Sequence, residues 1–167
     1  MARLKKDFPG LAVCLLLDSR HCNGPTFRLC RAHDWRFLIV LKPGALPSVF
    51  EEFEALKAQS PENPLTVPTP DGRLTFRWVN AIPYDGLTLN VLECLVSRPN
   101  EKPIRFVWGT DIEVTRELCQ ALSQQGGRQR GRIENEGFRL GGARRPYAAP
   151  PRGDAQWPRG QRRPGAA

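Results

Sequence analysis

No run in this sequence is long and apolar enough to cross a bilayer. The most apolar stretch, Leu11 to Leu17, runs directly into Asp18, far short of the ~20 residues a spanning helix needs. The charged start, Met1-Ala-Arg-Leu-Lys-Lys, is not followed by a secretory pattern, so no membrane partner is expected. A CxxC pair is also missing. The five cysteines, Cys14, Cys22, Cys30, Cys94 and Cys119, are odd in number and Cys14 sits inside the apolar run. That usage suits the reduced thiols of a cytoplasmic protein better than a disulfide framework. His21, Cys22, Cys30 and His33 lack the ligand spacing of a zinc site, and Cys30 and His33 fall on an expected helix.

Lysine is absent from Gly126 onward, and aliphatic residues nearly vanish after Gly141. What fills this region is arginine: ten Arg against Glu134, Glu136 and Asp154, which carries +7 of the chain's net +8. The first 125 residues are therefore almost neutral. This excludes a uniformly basic nucleic-acid-binding domain and indicates a folded body with a basic tail. Residues 141–167 cannot bury enough apolar surface to offset ordering entropy and are expected to be disordered.

The body begins with a strand, helix, strand pattern. Leu11 to Leu17 is continuously apolar, as buried strands are. Asn23 can cap a helix with Pro25 in its first turn, and Arg36-Phe-Leu-Ile-Val-Leu-Lys42 forms a second apolar strand. Two parallel strands joined by a crossover helix follow from that order. Ser48-Val-Phe-Glu51 reads as a capping box opening an amphipathic helix with Val49, Phe50, Phe53 and Leu56 on one face.

From about 61 to 103 short strands alternate with turns. Pro70-Asp71-Gly72 and Asp85-Gly86 separate Leu65 to Val67, Leu74 to Val79 and Leu87 to Val96. This is an expected antiparallel β insertion. Ile104 to Trp108 returns to a buried strand, and Thr110-Asp-Ile-Glu113 reads as a second capping box, with Ile112, Thr115, Leu118, Cys119 and Leu122 on one side of its helix. That helix is expected to stop at Gly126-Gly127, with another helical segment from Arg128 to Leu140. Phe50, Phe53, Phe76, Trp78 and Trp108 lie within apolar patterns and are assigned to the core rather than to base stacking.

Two places carry candidate chemistry. Asp18 closes the first strand at its carboxyl end, the edge where parallel α/β sheets bind ligands and metals; a loop or cap carboxylate occupies the same position in many folds. Far along the chain, Arg130-Gly-Arg132-Ile-Glu134-Asn-Glu136 again presents acids on a helical segment. Two carboxylates brought from distant points suit a divalent cation that also holds water and phosphate oxygens, and an Arg one turn ahead helps fix such a carboxylate.

Leu-Leu-Leu-Asp18, the Asn-Gly-Pro helix, Phe-Leu-Ile-Val-Leu-Lys42, Trp108-Gly-Thr-Asp-Ile and Arg-Ile-Glu134-Asn-Glu-Gly-Phe together resemble the DDE transposases of bacterial insertion sequences. The resemblance covers roughly residues 3–140. It implies an α/β, RNase H-like catalytic domain over 1–140 interrupted by the β insertion, with Mg2+ as cofactor and transposon-end DNA as partner. It also implies a possible transposase homo-oligomer and no small-molecule substrate.

In that family two Asp and one Glu bind the metal, and the Glu helix carries Tyr, two residues, Arg, three residues, Glu, six residues, Lys. Asp18 matches the second Asp, Arg130 the Arg and Glu134 the Glu; Arg132 with Glu136 has the same spacing. Ile133 favours Glu134, since an apolar residue precedes the family's Glu.

Three departures qualify the match. An upstream strand with the first Asp is missing, Gly127 and Gly141 stand at the Tyr and Lys positions, and everything after Phe138 reads like translation in a shifted frame. The expectation is an incomplete RNase H-like fold, inactive alone in DNA strand cleavage and transfer. The alternative is a non-catalytic remnant that binds DNA or a full-length transposase.

Overall fold

Asn23 starts the first helix as its side chain dictates. Its Oδ1 accepts from the backbone N–H of Thr26 and from the Thr26 hydroxyl, both at 3.0 Å, which satisfies one of the helix's orphan donors. Helix α1 (Gly24–Ala32) follows with Pro25 in its first turn. The computed structural model describes residues 12–60 and 62–127. Within them α1 connects strand β1 (Cys14–Leu17) to β2 (Arg36–Val40), and the two strands pair in parallel with Leu15 beside Phe37 and Leu17 beside Ile39. The expected crossover unit is present.

Helix α2 (Pro47–Leu56) comes next, then strands β3 (Leu65–Thr69), β4 (Gly72–Tyr84), β5 (Leu87–Ser97) and β6 (Ile104–Thr110). A short helix α3 (Leu118–Ala121) and a π turn (Leu122–Gly127) close the described chain. Both expected hairpins form. At the second, Asp85 and Gly86 have φ of 49° and 71°, the left-handed pair that matches the twist of flanking strands. At the first, Gly72 has φ 148° and packs so closely on the backbone of Ser97 that a side chain has no room.

All six strands form one mixed sheet in the order β1-β2-β6-β5-β4-β3, and every pairing except β1 with β2 is antiparallel. The β insertion is thus not set apart from the α/β unit; β6 lies between β2 and β5 and extends a single sheet. One face packs under α1 and α2 through Phe27, Trp35, Phe37, Ile39, Phe53 and Val91, with Phe27 stacked on Phe37 at 5.0 Å. The other carries Leu38, Phe76, Trp78, Leu92 and Trp108, with Val114 and Cys119 packed on it. Phe53, Phe76, Trp78 and Trp108 are buried as expected, and Phe50 is half-buried. Among the described residues no helix is long and apolar enough to cross a membrane.

Three expectations are corrected. The β1 strand is half-buried, with Cys14 exposed, because it stands at the end of the sheet's strand order rather than inside it. Ser48 caps nothing: α2 begins at Pro47, whose ring pre-sets helical φ, and buried Leu46 holds the cap position without a side-chain bond. Thr110 opens no helix. Its hydroxyl donates to the Phe37 carbonyl at 2.6 Å and accepts from the Ile112 N–H at 3.1 Å, so the group that would have capped is used to seal β6 against β2. The expected helix at 128–140 and the tail at 141–167 lie outside the described residues.

All five cysteines are free thiols, and four are buried. Burial pushes the Cys22 and Cys119 thiols up from their ordinary 9.0 to about 12, because the apolar surroundings disfavour the thiolate. The unfolded chain therefore ionises these thiols first. Their contribution to stability is complete below pH 9 and is lost progressively between pH 9 and about 12. Denaturant midpoints recorded across that range should fall, and should fall less in Cys119→Val; an unchanged slope in the variant would contradict the assignment.

Candidate functional site at the carboxyl end of the parallel strands

Asp18 directly follows β1 and begins a tight connection to α1. Its Oδ1 accepts from the Arg20 N–H at 3.0 Å, capping the single 3-10 turn Ser19–His21. The Asn23 side-chain amide donates to the Arg20 carbonyl at 3.2 Å, so the loop leaving the strand is pinned at both ends. Asp18 is half-buried at the strand's carboxyl end, which is the position its sequence context predicts. It is also a cap carboxylate, so both readings of this residue describe the same atom.

The level at which Asp18 leaves the sheet can be followed across the strands. Leu17 stands beside Ile39, and Val40 stands beside Trp108, so Asp18 lies one residue further along the same row as Val40 and Trp108. A cleft of about 430 Å³ opens at this end, lined among others by Val40, Lys42, Phe50, Arg105, Trp108 and Gly127. Another, of about 630 Å³, lies between the end of α2 and residues 113–117, at the opposite end of β6.

The closing π turn reaches the Asp18 row. A Cβ on Gly126 would come within 2.7 Å of Leu38 Cδ2, and one on Gly127 would run into the Trp108 ring. Glycine is needed at 127, where the backbone lies directly against the Trp108 ring, whereas at 126 only the tip of the Leu38 side chain would have to move. From here the chain continues toward Arg130, Arg132, Glu134 and Glu136, which lie outside the described residues. Asp18 is accordingly the one sequence-predicted site residue whose surroundings are described.

The zinc candidates do not converge. Cys22 and Cys30 are buried in the core beneath the sheet, and His33 packs its ring against Trp35 at 4.8 Å. Among the described residues no group of three His, Cys, Asp or Glu side chains could hold a metal ion.

A second charged site escaped the sequence reading. Glu93, in the middle of β5, is 2 % exposed and receives Lys57 Nζ and Arg77 at 3.3 Å each, together with the Arg105 guanidinium. Glu54 joins the cluster by accepting from Lys57 at 2.7 Å and from Arg105. These partners hold the Glu54 carboxyl below its usual range against the opposing effect of burial. The signal was present: Glu93 has Val91 and Leu95 as its same-face neighbours, so alternation puts its charge on the buried side. Arg77 stands directly across the strand pair.

No protein-family model matches the chain, and no curated protein matches it either.

Two stability outcomes follow from this geometry. Glu93→Ala leaves three cations facing a buried gap and should cost about 3–5 kcal/mol, the usual penalty for removing one partner of a buried ion pair; a urea midpoint within error of the parent would refute it. Gly127→Ala forces the π turn off Trp108 and should cost about 1–3 kcal/mol, with quenching or shift of Trp fluorescence reporting the displaced contact.

Proposed function

We propose that these residues are the C-terminal part of an RNase H-like DDE transposase domain, supplying two of the three carboxylates that cut and join DNA at the ends of an insertion sequence. The observation that carries this reading is the parallel β1-α1-β2 crossover with Asp18 at its carboxyl end, together with a C-terminal turn docked on the same sheet row. That row is where a carboxylate from the following segment must arrive to share a cation with Asp18. The β-rich segment between the two agrees with the family's insertion.

Asp18 is a hard oxygen donor of the kind Mg2+ prefers, and Asp18 with Glu134 would hold it. When bound, the ion supplies charge stabilisation for in-line displacement at phosphorus. Arg130, one helical turn ahead of Glu134, would orient that carboxylate and meet a phosphate oxygen; Arg132 would do the same if Glu136 is the ligand. In strand cleavage a water oxygen bonds to the scissile phosphorus and the P–O3′ bond breaks, leaving a 3′-hydroxyl and a 5′-phosphate. That hydroxyl then bonds to a phosphorus of target DNA, the P–O3′ bond there breaks, and the proton passes to the departing 3′-oxygen, leaving a new 3′-hydroxyl on the target strand. Two carboxylates hold the ion too loosely for this step, so the chain alone is inactive.

The concentration of +7 in residues 126–167 favours a second reading, a non-catalytic remnant that binds DNA or a complete transposase. Both readings are tested by following Mn2+ binding by electron paramagnetic resonance. Asp18→Asn and Glu134→Gln should each weaken it, and the double variant should bind more weakly than either single. If Asp18→Asn binds like the parent, or if Glu134→Gln and Glu136→Gln both do, the shared-cation reading fails. Plasmid nicking by the purified chain in Mg2+ should be absent; nicking abolished by Asp18→Asn would show that the chain is an enzyme by itself.

A further inference from the structure

The face of the sheet opposite α1 and α2 is covered only in part by the described residues. In its apolar cluster the strands supply thirteen side chains, whereas the covering layer supplies three, Val114, Cys119 and Leu122. That layer is fastened at one end of the face. The Asn80 side chain bonds both backbone groups of Val114, at 2.9 and 3.0 Å, and Gly127 lies against the Trp108 ring.

Cross-strand register divides this face into rows. Trp78, Leu92, Trp108 and Val40 stand side by side in the row on which Gly127 rests. The next row is Leu65, Phe76, Cys94 and Phe106, and the one beyond it is Val67, Leu74, Val96 and Ile104. In these two rows Phe76 and Cys94 are fully buried, and Leu74 and Val96 are 2 % and 7 % exposed. A strand residue with nothing above it keeps its outer side in water, so something lies over them. Helix α3 has four residues, about 6 Å of helix, whereas each row crosses four strands, about 14 Å. The rest of the cover has to come from elsewhere in the chain.

The chain is already on this face where the described residues end. Gly127 and Phe106 both line the cleft of about 430 Å³, and the half-buried Phe106 ring lies parallel to that of Trp108 with centroids 5.8 Å apart. At the other end of the described chain, Val13 packs on the opposite face. After Leu122 the sequence contains no Val or Met, and its Ile, Leu and Phe residues are Ile133, Phe138 and Leu140. All three fall within thirteen residues of Gly127, among arginines and glutamates that favour the surface.

We propose that residues 128–140 complete this layer, with Ile133, Phe138 and Leu140 set against the Phe106 and Val96 rows and the arginines of the segment turned outward. The sheet is then covered on both faces, as a packed domain requires. This assignment does not depend on the transposase reading, because it concerns what covers the sheet, whether or not Asp18 and Glu134 share a cation.

The unaltered full chain provides the first test. Brief trypsin treatment should cut after Arg144, Arg152 and Arg159 roughly tenfold or more faster than after Arg128, Arg130, Arg132 and Arg139, since docked backbone must open before it is cleaved. Cleavage after Arg130 or Arg132 as fast as after Arg152 would overturn the proposal.

The buried thiols report the two faces separately, with Cys94 and Cys119 on this face and Cys22 and Cys30 on the other. In the full chain, Phe138→Asp combined with Leu140→Asp should raise the alkylation rate of Cys94 roughly tenfold and leave Cys22 and Cys30 within about twofold of the parent. A parental rate at Cys94 would sink the assignment. So would its exposure by Leu4→Asp or Phe8→Asp instead, or its exposure on dilution, which would give the cover to the N-terminal segment or to a second copy. If the double variant exposes all four thiols together, it has lost its fold and the trypsin pattern of the parent decides. Neither measurement includes a divalent cation, so failure of this docking and failure of Mn2+ binding at Asp18 are separate results.

Discussion

The antiparallel seam between β6 and β2 is what makes one sheet out of two patterns. Leu38 stands beside Thr110 and Val40 beside Trp108, and the end of the seam is closed by side chains as well as backbone. Besides the Thr110 hydroxyl on the Phe37 carbonyl, Asp111 accepts from the Phe37 N–H at 2.9 Å and from Arg36 at 3.0 Å. Without this seam the crossover unit would be two short parallel strands and a helix, too little to bury a core. The long β4-β5 hairpin would be a separate ribbon. With it, both faces acquire continuous apolar surface, and the Asp18 end of the sheet gains the Trp108 platform on which the C-terminal turn rests.

Local elements were legible because they depend on neighbours in sequence. Asn23 and Pro25 mark the start of α1, Asp85-Gly86 marks a hairpin, and apolar runs mark β1, β2, β5 and β6. What could not be read is which long-range partner claims each polar group. Thr110 and Ser48 both begin the pattern of a capping box, yet Thr110 spends its hydroxyl on β2 and Ser48 is overtaken by the Pro47 ring. Asp111, read only as part of a helix start, ties down the opposite strand instead. Glu93 was hidden for the same reason: its three cations come from α2, β4 and β6, and only the pairing of the sheet brings them together. Of the candidate site, Asp18 was legible from its place at the end of an apolar run, because a strand's direction alone sets where its last residue points. Glu134 depends on a segment beyond the described residues.

Burial of Glu93 has a cost that the cluster offsets by ligation rather than by Coulomb attraction alone. A carboxylate at 2 % exposure is tolerable when its lone pairs are filled by charged donors. The arrangement then does something an apolar residue would not: it draws Arg77 of β4 and Arg105 of β6 together over one face of β5, and it draws α2 onto the sheet through Lys57. The Arg105 guanidinium also lies over the Phe50 ring, 5.4 Å from its centroid. Removal of Glu93 would therefore release Lys57, Arg77 and Arg105 from their common partner at once.

The two ends of the sheet's strand order are built differently. The β3 strand alternates half-buried and exposed residues and carries Pro68, features that blunt an edge against further pairing. The β1 strand carries neither: Leu15 and Leu17 face one side, Leu16 the other, and all three are only half-buried. Residues apolar on both faces belong to strands whose two faces are both covered, and here Leu15 and Leu17 pack on the cluster under α1 and α2 while Leu16 packs on the cluster around Trp108. The apolar composition of β1 is thus set by its faces and not by its edge.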